Sequence, residues 1–229
     1  MAEVEENLHQ EQPCLPVVFG RDEIKRLFKQ LDQALKAQGD VVWIYVVGGA
    51  NIALVIDGSR STSDIDVVVR RGMDALARAA ATVAKSNPGL QADWINTEFT
   101  GNTYDGGITW SWFDNQHLDE PETFYESDNL KVELASPLML LALKALDTRP
   151  QGRADLYNLM RLTGLRTKQE VGANLRRFTG DRLFESQGKP GTFVHVFQAL
   201  NEAFEELPQD LRPPEKDSLF RRIIARTRK

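Results

Sequence analysis

Two aspartates separated by a single residue are the part of this sequence best suited to chemistry. Asp64 and Asp66 flank Ile65 at the start of an apolar, β-rich run over residues 65–69. Side chains alternate along a strand, so we expect both carboxylates on one face and Ile65 in the core. Adjacent carboxylates repel each other unless a cation lies between them, and Mg²⁺ binds one or two carboxylates together with phosphates. The alternative for this spacing alone is a strand edge with two solvated aspartates.

A pair of glycines precedes the aspartates. The continuous apolar run over residues 41–47 predicts a buried strand, which ends at Gly48 and Gly49 and leads into an apolar helix over 50–56. Such a turn exposes backbone N–H groups at a helix start, where phosphate is bound favourably. Together the two motifs predict a site for phosphate and metal, and two metal ions there would activate a hydroxyl and stabilise a leaving pyrophosphate.

The elements around these motifs predict an α/β (α+β) protein. Apolar spacing predicts a helix between Asp22 and Gly39 and another over 73–85, with short strands over 92–95, 108–113 and 130–134. Segments 101–107 and 114–122 are polar and rich in turn residues. After Pro137, helical patterns follow one another, over 138–146, 155–162, 168–178, 194–207 and 216–228. We therefore expect a flexible acidic leader (1–20), a domain with a mixed sheet flanked by helices (21–136) and a helical domain (137–229).

The composition and charge of the chain indicate where it acts and which classes of partner it could bind. No apolar run approaches the ~20 residues of a membrane helix, and the acidic N-terminus differs from a signal peptide. Cys14 is the single cysteine of the chain, which excludes an intramolecular disulfide. These features predict a cytoplasmic protein without a membrane partner. Residues 1–143 carry 22 acidic and 11 basic side chains, whereas residues 144–229 carry 11 and 17. The basic half is compatible with a nucleic-acid partner and equally with ordinary solvated helices.

The motifs resemble a known family. A hydrophobic residue before Gly-Gly, a short helix and then Arg-x-Thr-x-Asp-hydrophobic-Asp is similar to the minimal nucleotidyltransferases of the DNA-polymerase-β superfamily. Within these it most resembles the AbiEii-like toxins of type IV toxin–antitoxin systems. Weaker similarity follows in the segments Asp-Trp-Ile-Asn (93–96), Val-Glu-Leu-Ala-Ser-Pro (132–137) and Leu-Leu-Ala-Leu-Lys (140–144), and around Asp155. The resemblance covers roughly residues 41–165.

The resemblance implies a nucleotidyltransferase fold and an activity. The implied reaction moves a nucleoside monophosphate from an NTP to an acceptor hydroxyl, with two Mg²⁺ ions, or Mn²⁺ in their place. The implied acceptor is RNA, especially a tRNA 3′ end, and a cognate antitoxin protein is an implied partner. In this reading the metal ligands are Asp64 and Asp66, and the third carboxylate is Glu133, with Asp93 as the alternative. The implied nucleotide-binding residues are Gly48, Gly49, Arg60, Thr62, Asn96 and Lys144, and Asp155 would orient Lys144.

Several alternative interpretations stay open at this point. Asn158 and Ala154 depart from the family pattern, which leaves the roles of the helical domain undecided. The acceptor could be a protein hydroxyl, as in enzymes that attach AMP to proteins. The chain could instead be a non-catalytic nucleotide-binding module, or an α/β protein that carries the motif by coincidence. The three histidines, His9, His117 and His195, share no ligand spacing and are not expected to bind metal.

Overall fold

The computed structural model describes residues 18–98, 103–104, 108–109, 121–147, 149–179 and 192–212. The N-terminal part alternates helices and strands: α1 (Arg21–Gln38), β1 (Val42–Val46), α2 (Gly48–Asn51), β2 (Ile65–Arg71), α3 (Met73–Ser86), β3 (Ile95–Asn96), β4 (Thr103–Tyr104), β5 (Ile108–Thr109), β6 (Glu122–Glu126) and β7 (Leu130–Leu134). A π-helical turn, Ile52–Ile56, continues α2. The described elements after β7 are helical: α4 (Pro137–Lys144), α5 (Pro150–Thr163), α6 (Lys168–Thr179), α7 (Thr192–Glu205) and a 3₁₀ turn, Gln209–Leu211.

Five of the strands form one mixed sheet in the order β3-β2-β1-β7-β6. Strand β1 is antiparallel to β2 and parallel to β7, and the short β3 runs parallel to β2. Strands β4 and β5 form a separate antiparallel pair. The predicted α+β class with a mixed sheet flanked by helices is therefore confirmed.

The two faces of the sheet carry two hydrophobic cores. One face packs against α1 and α3, and its core contains Ile44, Val67 and Trp94. The other face contributes Tyr45, Val47 and Val68 to a second core shared with the helices that follow β7. The helical part thus covers the face to which Asp66 also belongs, since Asp66 and Val68 are two residues apart on β2.

Local sequence explains where the principal helices begin and end. Helix α1 has its apolar residues on one face and ends at Gly39, whose φ of 70° is the left-handed conformation that favours glycine. Helix α4 begins at Pro137, and the Ser136 hydroxyl accepts a hydrogen bond from the Met139 N–H at 3.1 Å. In both cases a cap residue and an apolar stripe agree, so these boundaries lie within two residues of the predicted ones.

Three sequence predictions need correction. The leader was predicted to extend to residue 20, but Phe19 is buried and exchanges two backbone hydrogen bonds with Thr62, at 2.7 and 3.1 Å. The strand predicted over 92–95 is confined to Ile95–Asn96, because a turn ends at Trp94 and buries its ring. Strand β6 was not predicted, since its sequence Glu-Thr-Phe-Tyr-Glu lacks a clean apolar alternation.

Some predictions concern residues that the structure does not describe. The helix predicted over 216–228, residues 1–17 of the leader and the end of the strand predicted over 108–113 lie outside the described residues. Among the described helices, none combines the length and the apolar character that crossing a membrane requires.

Candidate metal and nucleotide site

The turn between β1 and α2 lies directly against the Asp66 carboxylate. Gly48 has a φ of +64°, and a Cβ atom at this position would lie 2.2 Å from Asp66 Oδ2. The Val47 N–H also donates to the Asp66 carbonyl at 2.9 Å. Only glycine combines the left-handed backbone with this close approach, because any side chain would overlap the carboxylate. The first glycine and the second aspartate of the predicted motif are therefore in contact.

The second glycine brings Arg60 and Thr62 to the same turn. A Cβ atom at Gly49 would lie 2.9 Å from Thr62 Oγ1 and 3.5 Å from Arg60 Nη2. The Thr62 hydroxyl also donates to Asp64 Oδ1 at 3.3 Å. Four of the predicted site residues, two glycines and two side chains of the loop before β2, thus meet at one end of the β1–β2 pair.

Asp64 and Asp66 are neighbouring carboxylates whose negative charges repel each other. Burial, followed by the charge of Asp64, raises the pKa of the Asp66 carboxyl from 3.8 to about 6. Three groups oppose this rise: the Asn96 amide, which donates to Asp66 Oδ1 at 2.9 Å, and the charges of Lys144 and Arg149. A divalent cation fits this donor set, since it would neutralise two adjacent carboxylates and is bound by oxygen ligands.

The predicted third carboxylate does not join this pair. Glu133 lies on the same face of the sheet, but its register partner is Tyr45, whereas Asp66 lies beside Val47, two residues further along the chain. Its buried side chain forms an ion pair with Lys131 at 2.8 Å. Asp93, the alternative, is exposed in the turn before β3. Within the part of the chain that the structure describes, no three Asp, Glu, His or Cys side chains gather into a metal-binding group.

A chain of ion pairs links the glycine turn to the helical part. We call it the cationic cluster: Arg60, Lys144, Asp147, Arg149 and Asp155. Lys144 Nζ lies between two carboxylates, 3.2 Å from Asp155 and 3.1 Å from Asp147. Asp155 also lies 3.5 Å from Arg60 Nε, and Asp147 accepts from Arg149 Nε and Nη2, both at 2.8 Å. The contact predicted between Asp155 and Lys144 is present, and it forms the centre of this chain.

Three members of this region were missed by the sequence reading: Asp147, Arg149 and Gly152. A Cβ atom at Gly152 would lie 2.1 Å from the Asp147 carboxyl carbon, so the first turn of α5 needs a glycine there. The available signal was Asp147 itself, an acidic residue shortly before the helix that starts at Pro150, because carboxylates are favoured near helix N-termini. That signal predicts a helix start and gives no indication of the arginine that the carboxylate also holds.

A cavity of about 480 Å³ lies beside Asp64. Its wall includes Asn96 and Thr97, together with the carboxylates of Asp64, Asp93 and Glu98. This volume is in the range of small-molecule sites in proteins. Among the described residues, no lysine or arginine lines it, so the cavity is acidic where the cationic cluster is basic.

A comparison of the chain with protein-family models, with curated proteins and with solved structures finds no match.

Proposed function

We propose that this chain is a metal-dependent nucleotidyltransferase that moves a nucleoside monophosphate from an NTP to an acceptor hydroxyl and releases pyrophosphate. The observation that carries the proposal is the contact of Gly48 with Asp66 and of Gly49 with Thr62 and Arg60. The pairing of β1 with β2 brings Asp66 beside Val47, and the absence of a side chain at Gly48 leaves room for the Asp66 carboxylate at the turn. The contact argues for a built site in which a bare backbone and two carboxylates serve one ligand.

Some residues of the site would bind phosphate and others would bind the metal. The backbone at Gly48 and Gly49 carries no side chain, so phosphate oxygens can approach its N–H groups closely. The Arg60 guanidinium beside Gly49 supplies a positive charge and a planar donor set suited to phosphate. Asp64 and Asp66 would hold Mg²⁺, with Mn²⁺ as a substitute, and Asn96 fixes one oxygen of Asp66 by its hydrogen bond.

A metal bound there would supply Lewis-acid activation of the attacking hydroxyl and stabilise charge on the leaving pyrophosphate. Asp66 is half-buried beside Asp64, and both its burial and the neighbouring charge disfavour the ionised Asp66 carboxylate when no metal is bound. Glu133 remains a predicted third carboxylate, although in this structure it is paired with Lys131.

The proposed acceptor is the 3′ end of an RNA, in line with the resemblance to toxins that modify tRNA, and a cognate antitoxin is the corresponding protein partner. One observation favours a second candidate, a protein hydroxyl. The described wall of the cavity beside Asp64 carries three carboxylates, which disfavour entry of a phosphate-rich strand and favour a neutral or basic segment.

A label-transfer assay tests the proposal. Purified protein would be incubated with Mg²⁺, each α-labelled NTP in turn, and either total tRNA or a proteome extract. The double variant Asp64→Asn/Asp66→Asn serves as the inactive form, and Asp128→Asn, which changes an exposed carboxylate in the β6–β7 turn, is the matched control. Label on either acceptor with wild type and Asp128→Asn only supports the proposal and identifies the acceptor. Equal labelling by the double variant would refute it.

A further inference from the structure

The cationic cluster buries its two acids and Lys144 and leaves its two arginines more accessible to solvent. The side chains of Asp147 and Asp155 are 2% and 3% exposed, whereas those of Arg60 and Arg149 are 22% and 70% exposed. With Lys144 between the carboxylates, three cations share two buried anions, which leaves a net positive charge. That charge is presented to solvent by the two arginines, one at each end of the chain of ion pairs.

The exposed ends lie beside the proposed phosphate site. Arg60 reaches Gly49, and Gly49 is adjacent to Gly48, which contacts Asp66. At the other end, Arg149 is joined to Arg60 through ion pairs, because Asp147 and Asp155 share Lys144 between them. The cluster therefore flanks the metal pair and is not a separate surface feature of the helical part.

Asp147 holds the Arg149 end in a defined orientation. One carboxylate oxygen accepts from Arg149 Nε and from its backbone N–H, and the other accepts from Nη2 and from Lys144 Nζ. The two-point contact uses the Nε edge of the guanidinium and turns its remaining N–H groups away from Asp147. Gly152 permits the arrangement, because a side chain there would occupy the space of the Asp147 carboxylate.

We propose that Arg149 is a binding residue for the polyphosphate of the nucleotide and that Asp147 is the positioning residue that holds Arg149 and Lys144 toward it. The inference rests on the proposed function, since it places the polyphosphate between the glycine turn and α5. It assigns Asp147 a part in substrate binding in addition to its structural contacts. The chemistry recognised is a linear polyphosphate, for which a fork-shaped cation is the preferred partner.

The test measures binding of inorganic tripolyphosphate without metal by calorimetry, and KM for NTP with Mg²⁺ present. Arg149→Gln is expected to weaken tripolyphosphate binding about tenfold, the range for one lost charge-assisted contact, and to raise KM with little change in kcat. Arg149→Lys, which keeps the charge and loses the fork, should fall between wild type and Arg149→Gln. Arg161→Gln is the matched control, because Arg161 makes the same kind of two-point pair with Asp210 on the far part of α5.

Asp147→Asn separates positioning from simple electrostatics. Removing a negative charge would by itself tighten polyphosphate binding, whereas loss of positioning weakens it. We expect weakening of about threefold to tenfold, with Asp147→Glu restoring part of the affinity. Thermal melting of each variant checks folding, and Arg149→Gln keeps the test decisive if Asp147→Asn does not fold.

The outcomes distinguish this inference from the proposed function. Unchanged affinity and KM in Arg149→Gln, or tighter binding by Asp147→Asn, would overturn the inference while label transfer stands. Absence of label transfer, with tripolyphosphate binding that still depends on Arg149, would overturn the nucleotidyltransferase and leave a polyphosphate-binding site of the same residues.

Discussion

Replacing Asp66 with asparagine should stabilise the metal-free protein, and the gain should grow with pH. Asp66 is a half-buried carboxyl beside Asp64, and its burial and the Asp64 charge raise its pKa from 3.8 to about 6. Asparagine keeps the size of the side chain and an oxygen that can accept the hydrogen bond from Asn96, but it carries no charge. The substitution therefore removes the unfavourable ionisation and leaves most contacts in place.

The magnitude follows from the two pKa values. An acid whose pKa is raised on folding binds its proton more tightly in the folded chain, so stability is lost as pH rises from 3.8 toward 6. With these values the ionisation costs about 3 kcal/mol at pH 7.5 and roughly half as much at pH 5. The stabilisation by Asp66→Asn should therefore be larger at pH 7.5 than at pH 5 by on the order of 1 kcal/mol. Taking the difference between the two pH values cancels effects of the substitution that do not depend on ionisation.

Urea denaturation with a metal chelator at both pH values measures this difference. Asp128→Asn, at an exposed carboxylate, should change the free energy of unfolding by less than about 0.5 kcal/mol at either pH. Excess Mg²⁺ should reduce or reverse the advantage of Asp66→Asn, because wild type alone gains the binding energy of the metal. A gain that is equal at both pH values, or a loss that deepens as pH rises, would refute the account of Asp66 as a buried, repelled carboxylate.

Other substitutions test the packing around the site. Gly48→Ala should lower the free energy of unfolding by about 2 kcal/mol in urea denaturation and the rate of label transfer by at least about 100-fold. Residue 48 has a left-handed backbone that disfavours alanine, and its Cβ would displace the Asp66 carboxylate. Asn96→Ala removes a hydrogen bond that lowers the pKa of Asp66, so calorimetry at pH 6.5 should show Mg²⁺ binding weakened about fivefold to tenfold. Gly152→Ala should destabilise by about 2 kcal/mol through overlap with a buried carboxylate, whereas Gly172→Ala, with open space around it in α6, should stabilise by about 0.5–1 kcal/mol. Equal effects of the two glycine substitutions on the free energy of unfolding would contradict the close packing at Gly152.

The elements that were predictable from the sequence are those with a strong local pattern. Helix α1 combines an apolar stripe with a terminal glycine, and β1 is a continuous apolar run before Gly48. Strand β6 has neither feature, because its place at the sheet edge is set by pairing with β7 and by contacts such as Tyr125 with Asp32. Phe19 was also missed, since its backbone pairs with Thr62, which is distant in sequence.

The site residues also differ in whether the local sequence could predict them. Gly48 and Asp66 belong to a short strand–turn–strand motif, so their approach at one end of the β1–β2 pair could be predicted from the sequence. Arg149 and Asp147 are brought to the site only by the packing of α4 and α5 on the sheet, which no local pattern encodes. Glu133 shows the limit of strand alternation: the face was predictable, but the register that places it beside Tyr45 was not.

The most direct test of the central claim is a crystal of the protein grown with Mn²⁺ and a non-hydrolysable NTP analogue, measured at a wavelength where manganese scatters anomalously. The account predicts manganese bound by both Asp64 and Asp66, with the polyphosphate against Gly48 and Gly49, and neither in a crystal of Asp64→Asn/Asp66→Asn. Nucleotide bound elsewhere, or manganese that persists at the same place in the double variant, would contradict it.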